Sequence, residues 1–338
     1  MSAAQPGARR EFPQLDPAVF QHPFDQQAMA SFKKIPGLDI VTRKFIEYFP
    51  ERVAYIMNVA QSVRVSQTQC PKLYSLLRES CAILDMPEPE LYVAQTPLVN
   101  AMTSGHTKPY IIVHSGLVDL LSDEEIMAVI AHELGHIKAG HVLYTTMARG
   151  ISLLLQLLGE MTLGIGKLIG YSLEAALLEW SRMAEFTADR ASLLVVQNPR
   201  VMVSLMMKMA GGTLFQRDEM NVSDFLQQAE LYHAVDTNML DRLYKGLLIA
   251  PTTHPMLIVR ASEIVKWADS GAYRDILAGQ YPRRSGPIVP PTNGAANGTA
   301  TNGVNRTAAD AEHLIVCPHC QRAQANRHFC SYCGGEIA

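Results

Sequence analysis

Apolar residues recur at helical spacing along most of this 338-residue chain, and at strand spacing over one short interval. From Pro23 to about Leu84 the pattern predicts helices. PFDQQAMASFKKI runs up to Pro36-Gly37, and VTRKFIEYFPERVAYIMNVAQSV and CPKLYSLLRESCAIL follow. Residues 90–116 change character. LYVA and YIIVHSG are rich in β-branched and aromatic residues and are parted by turn material around Gly105 and Pro109, which predicts strands. Between them, Val99-Asn100-Ala101-Met102 reads as a sheet edge. Ser122 and Glu125 then form a capping box. Ile126, Val129, Ile130, Leu134 and Ile137 follow at helical spacing, which predicts a helix with residues 132–136 at its middle.

Residues 150–179 are the most apolar stretch. A spanning helix needs about 20 nearly uninterrupted apolar residues. Here Glu160, Lys167 and Glu174 recur every seven residues, with Gln156 one turn before the first. One narrow polar stripe predicts a helix buried in protein or against a partner, with membrane-surface contact left open. Folded as a helical hairpin, it would return the chain toward residue 132. Residues 191–248 are again helical in pattern, and the Met-rich VMVSLMMKM reads as adaptable core. From about Pro282 periodicity gives way to Gly, Asn, Thr, Ala and Pro. The expected organisation is a loose tail over 1–22 and one domain over 23–281, helical in its first part, 23–88. A flexible linker over 282–312 and a small module over 313–338 complete it. The fold class is α+β, mainly helical, with a small β-sheet beside the helix that carries residues 132–136.

Composition adds limits. Hydrophobic residues at 48% and charged residues at 18% are globular values on the apolar side. A formal charge of −3 gives no drive toward nucleic acid. The opening MSAAQPGARREFPQLDP lacks an apolar h-region, so a cytoplasmic location is expected, with peripheral membrane association left open. Six cysteines divide into Cys70 and Cys81, read as buried inert thiols, and four near the C-terminus, a reducing-compartment pattern.

The chemistry concentrates in Ala131-His132-Glu133-Leu134-Gly135-His136. His132 and His136 are four residues apart, so they share a helix face and can grip one metal ion. Glu133 lies about 100° further round, where a carboxylate can take a proton from water at the metal. Imidazoles suit zinc, and a catalytic zinc usually has three protein ligands. A metzincin would need Gly at 139 and His at 142, but Gly140 and His141 fall one place off, so His141 is expected to pack or cap near the helix end. The better third ligand is Glu185. Asp189, four residues on, can accept a hydrogen bond from the far nitrogen of His132. The competing reading is a solvated acidic pair near Arg182 and Arg190.

HELGH followed by SRMAEFTADR resembles the HtpX-like family of zinc metallopeptidases, which includes the CAAX prenyl proteases and belongs to the gluzincin clan. The resemblance runs from about Leu91 to Ala261. It implies a zincin fold and peptide-bond hydrolysis, with His132, His136 and Glu185 as zinc ligands, Glu133 as catalytic base and Asp189 supporting a ligand. Thr253-His254-Pro255 and Arg260 match a further pattern of that family. For His254 three roles stay open: hydrogen-bonding the oxyanion, capping the zinc in a latent form, or anchoring a loop. Arg260 is read either as a carboxylate binder or as a structural salt bridge. Beside such a metal helix, Val99, Asn100, Ala101 and Met102 are the candidate strand for pairing with an extended peptide substrate.

Cys317-x-x-Cys320 and Cys330-x-x-Cys333, nine residues apart, suit a tetrahedral structural zinc and resemble a zinc ribbon. With few basic residues, this tail is expected to bind a protein partner or substrate rather than nucleic acid. The expectation is therefore a zinc metalloendopeptidase with one catalytic and one structural zinc, acting in protein quality control or processing. The alternative is a non-cleaving scaffold or holdase that recruits clients through the tail.

Overall fold

The computed structural model describes residues 9–35, scattered positions between 38 and 46, residues 51–148, 165–215, 219–234 and 255–284, and two strands at 314–316 and 323–325. The chain forms two compact units, residues 1–292 and 293–338. In chain order the first builds α1 (Pro23–Phe32), α2 (Glu51–Gln61), β1 (Ser62–Arg64), α3 (Pro71–Ile83), β2 (Glu90–Ala94), β3 (Ala101–Ser104), β4 (Tyr110–His114), α4 (Ser115–Leu120) and α5 (Asp123–Lys138). It continues with α6 (Ile165–Val196), α7 (Pro199–Gly211), α8 (Val222–Ala234), α9 (Leu257–Ala268) and α10 (Gly271–Ala278). In the second unit, β5 (Leu314–Val316) pairs antiparallel with β6 (Ala323–Ala325).

Helix α5 organises the first unit. The capping box forms as expected: Ser122 accepts from the Glu125 amide, and the Glu125 carboxylate accepts from the Ser122 amide. That carboxylate also accepts from Ser204 and Lys208 of α7, both at 2.7 Å, so the helix start is tied to a neighbour. Every residue from Glu125 to His136 is buried, because α3, β3, α6 and α7 surround the helix. Residues 132–136 lie in its last two turns rather than at its middle. The helix stops early because Gly140 takes φ +74°, a left-handed conformation suited to glycine. The His141 amide then donates to the His136 carbonyl at 2.9 Å, a Schellman closure.

The sheet order is β1-β2-β4-β3, with β2 and β4 parallel and the outer pairs antiparallel. Strand β3 therefore forms one edge, packed beside α5. It begins at Ala101, two residues later than Val99, and runs on to Ser104. The main core gathers α3, the sheet, α5, the C-terminal half of α6, α7 and α9.

Other expectations change. Residues 9–22 are not a loose tail: Phe12, Leu15 and Phe20 are fully buried in the main core, and the Phe12 amide donates to the Ile83 carbonyl. Cys81 is buried and its thiol is pushed up by that burial, but Cys70 is only half-buried. From Ile165 the apolar stretch is one helix of 32 residues, while residues 149–164 lie outside the described residues. No described helix is long and apolar enough to cross a membrane. Cys317, Cys320, Cys330, Cys333 and His254 also lie outside the described residues.

Candidate metal centre

Helices α5 and α6 pack closely, and the contact is made by small residues. Gly135 faces Ala188 and Ala191, where even a methyl carbon would come within 2.8 Å of the Ala191 side chain. That approach brings the two histidines of α5 against Glu185 of α6. His132 Nε2 and His136 Nε2 are 3.2 Å apart. Glu185 Oε2 lies 3.3 Å from the first and Oε1 lies 3.3 Å from the second. Ligand atoms held about 2.0–2.1 Å from a tetrahedral zinc are separated by about 3.3 Å. The two ring nitrogens are spaced for such an ion, the carboxylate reaches each of them through a different oxygen, and the donor set of two imidazoles and one carboxylate is one zinc accepts. Among the described residues this is the group of His, Cys, Asp and Glu side chains able to hold a metal.

Burial makes the group depend on its partners. His132 Nδ1 donates to Asp189 Oδ1 at 3.0 Å. Arg260 of α9 binds Asp189 with two parallel hydrogen bonds, Nη2 to Oδ1 at 2.6 Å and Nε to Oδ2 at 2.8 Å, and reaches Glu185 Oε2 at 3.1 Å. Its Nη2 also comes within 3.3 Å of His132 Nδ1, so Arg260 touches both acids and the ring beside them. Burial would raise Asp189, but Arg260 and His132 hold it below its ordinary value. Burial pushes His132 down, yet Glu185 and Asp189 outweigh it and raise its pKa to about 9.

The sequence profile of peptidase family M48 matches residues 67–268. The chain belongs to peptidase family M48. It is a metalloprotease. An M48 relative in Arabidopsis thaliana, "Plastoglobule-localized metallopeptidase 48, chloroplastic", is 40% identical over 79% of this chain and 77% of its own length. "Protease HtpX homolog 2" of Methanosarcina acetivorans is 30% identical over 49% of this chain and 64% of its own. The HtpX homologue of Methanothermobacter thermautotrophicus is 29% identical over 49% of this chain and 69% of its own. No solved structure matches.

In this M48 domain the remaining candidates fall around one cavity of about 220 Å³, lined among others by His132, Glu133, Glu185, Asn100 and Ala101. Val99 instead packs against the main core, and Asn100 pairs through its carbonyl with the His114 amide. Pro255, next to His254, also lines the cavity. Met202 and Met209 of the Met-rich segment line it as well, so that segment is both core and wall.

Three contributors escape a reading of the sequence. Thr103 Oγ1 donates to Glu133 Oε2 at 2.6 Å, fixing one oxygen of the carboxylate from the sheet edge. Strand alternation would turn Thr103 toward α5 once the strand is extended to Ser104. His141 Nδ1 lies 3.1 Å from His136 Nδ1, and His141 Nε2 lies 3.2 Å from Asp25 Oδ2. Burial would raise Asp25, but its contacts with His141, Thr187 and Gln21 lower it to about 2. No local signal marks Asp25, which is 116 and 160 positions from His141 and Glu185.

Proposed function

We propose that this M48 protein is a zinc-dependent endopeptidase whose ligands are His132, His136 and Glu185. The observation that carries the reading is the convergence of both imidazole Nε2 atoms, 3.2 Å apart, on the Glu185 carboxylate, whose two oxygens each lie 3.3 Å from one ring, with Glu133 beside them on the same helix. When bound there, zinc supplies a Lewis acid that acidifies water and polarises the scissile carbonyl. Glu133 takes the proton from the attacking water and hands it to the leaving amine. Thr103 occupies one Glu133 oxygen, and base chemistry needs only the other. Asp189 orients His132, and Arg260 holds both acids in place and favours the charged form of Asp189.

An extended peptide is the substrate class. Strand β3 is a sheet edge, and Asn100 and Ala101 line the cavity that Glu133 also reaches, which favours strand addition along residues 99–102. His254, beside the cavity-lining Pro255, is assigned as an extra donor to the developing oxyanion. In the second unit, Cys317, Cys320, Cys330 and Cys333 are assigned a structural zinc. Their spacing and the β5–β6 hairpin around the first pair support this.

The test is proteolysis of casein by full-length protein. Glu133→Gln is expected to abolish cleavage while keeping the metal, and Glu185→Ala to lose both. Full cleavage by Glu133→Gln refutes the base assignment.

A further inference from the structure

His136 presents Nε2 to the ligand triangle, so in a metal-binding ring the hydrogen is on Nδ1. That Nδ1 meets Nδ1 of His141 at 3.1 Å. A hydrogen bond between two imidazole nitrogens needs one donor and one acceptor. His141 Nδ1 is therefore the acceptor, and its own hydrogen is on Nε2. This nitrogen is buried with no formed hydrogen bond and lies 3.2 Å from Oδ2 of Asp25, so Asp25 is the acceptor that a small turn of the ring supplies. Asp25 is fully buried and accepts from Trp180 Nε1 at 3.0 Å, Thr187 Oγ1 at 2.7 Å and Gln21 Nε2 at 3.0 Å. A carboxylate held by three donors cannot turn away from His141. The hydrogens along Asp25, His141 and His136 thus have one consistent order, and it leaves the His136 Nε2 lone pair directed at the metal position.

We propose that His141 and Asp25 are positioning residues of the metal centre, fixing the tautomer and ring orientation of His136 as Asp189 does for His132. The proposal rests on the zinc assignment above. The fold brings the two residues there by separate routes. The left-handed turn at Gly140 folds His141 back beneath His136. Helix α1, upstream of the M48-matched residues 67–268, lies along α6 and carries Asp25. A residue outside the matched region is thereby part of the centre.

The experiment measures zinc affinity by chelator competition in the full-length chain, with Cys317→Ser and Cys320→Ser present throughout so that the α5–α6 site is read alone. His141→Leu and Asp25→Asn are each expected to weaken zinc binding about 10–100-fold. His141→Gln keeps an acceptor toward His136 and a donor toward Asp25, and is expected to recover most of that loss. A residue that merely fills space would favour Leu as much as Gln. Urea unfolding checks that each variant is folded; if Asp25→Asn is not, the two His141 variants carry the test. Zinc affinity within twofold of the parent in folded His141→Leu overturns the proposal. Glu185→Ala, run alongside, separates the two levels: retained zinc there overturns the site assignment itself. Zinc lost there but kept in His141→Leu overturns the relay alone.

Discussion

Gly135 sits between the two histidines at a tight contact of α5 with α6, and replacing it with alanine puts the centre's geometry to a quantitative test. The added methyl carbon would stand 2.8 Å from the Ala191 side chain and 3.0 Å from the Ala188 backbone. Carbon atoms settle at about 3.5–4.0 Å, so the helices must part by about 0.7–1.2 Å. Overpacking of this kind costs about 1–3 kcal/mol. Alanine regains about 1 kcal/mol over glycine inside a helix. The net change in stability is therefore small, about 0–2 kcal/mol. The metal site fares worse. His132 and His136 ride together on α5, so their 3.2 Å edge survives, but both 3.3 Å edges to Glu185 cross the interface that opens. Metal sites tolerate about 0.2 Å, and a 1 Å misplacement costs on the order of 100-fold in rate. Gly135→Ala should therefore fold with a urea midpoint near that of the parent, yet bind zinc weakly and cleave casein about 100-fold more slowly. A folded Gly135→Ala protein with parental zinc content and turnover would refute the argument.

Two further outcomes follow from other contacts. Thr103→Val keeps the shape of the strand but removes the donor to Glu133; a hydrogen bond to a charged group is worth about 1.5–3 kcal/mol, so turnover should fall about 10–100-fold at unchanged zinc content. His22 accepts from the Phe24 amide through Nδ1 at the start of α1, and burial, with Arg190 nearby, lowers its pKa from 6.5 to about 4. A folded-state value below the unfolded one means that the contribution is complete above pH 6.5 and is lost progressively as pH falls to about 4, in total about 3 kcal/mol. Urea unfolding of the metal-free protein from pH 7 to about 4 should show this loss in the parent and a flatter curve in His22→Gln; parallel curves would contradict it.

What the sequence shows best is what one helix decides alone. The Ser122–Glu125 box, the four-residue spacing of His132 and His136 and that of Glu185 and Asp189 follow from helical periodicity, and the helices form where that period places them. The end of α5 is harder to read, because the pattern continues through Ile137 while Gly140 supplies a left-handed stop. Strand β3 begins two residues late for a similar reason: Leu98–Asn100 is a turn whose carbonyl still pairs with His114, so pairing outlasts the strand. Asp25 and Arg260 depend on tertiary contact. Asp25 resembles any acidic first-turn residue until α1 lies on α6, and Arg260 resembles a surface cation until α9 turns it toward Asp189. Phe12, Leu15 and Phe20 follow no regular period among prolines and charges, and only their burial in the main core makes sense of them.

Those three side chains bear on how the protein can be cut down. Fully burying a residue of this kind contributes about 1.5–3 kcal/mol, so the strap over residues 12–20 carries on the order of 6 kcal/mol, comparable with the whole stability of many domains. A recombinant fragment trimmed to the profile-matched boundaries at 67 and 268 would open greasy sockets to solvent and invite aggregation during expression. The smallest workable peptidase unit begins far upstream of the smallest recognisable one.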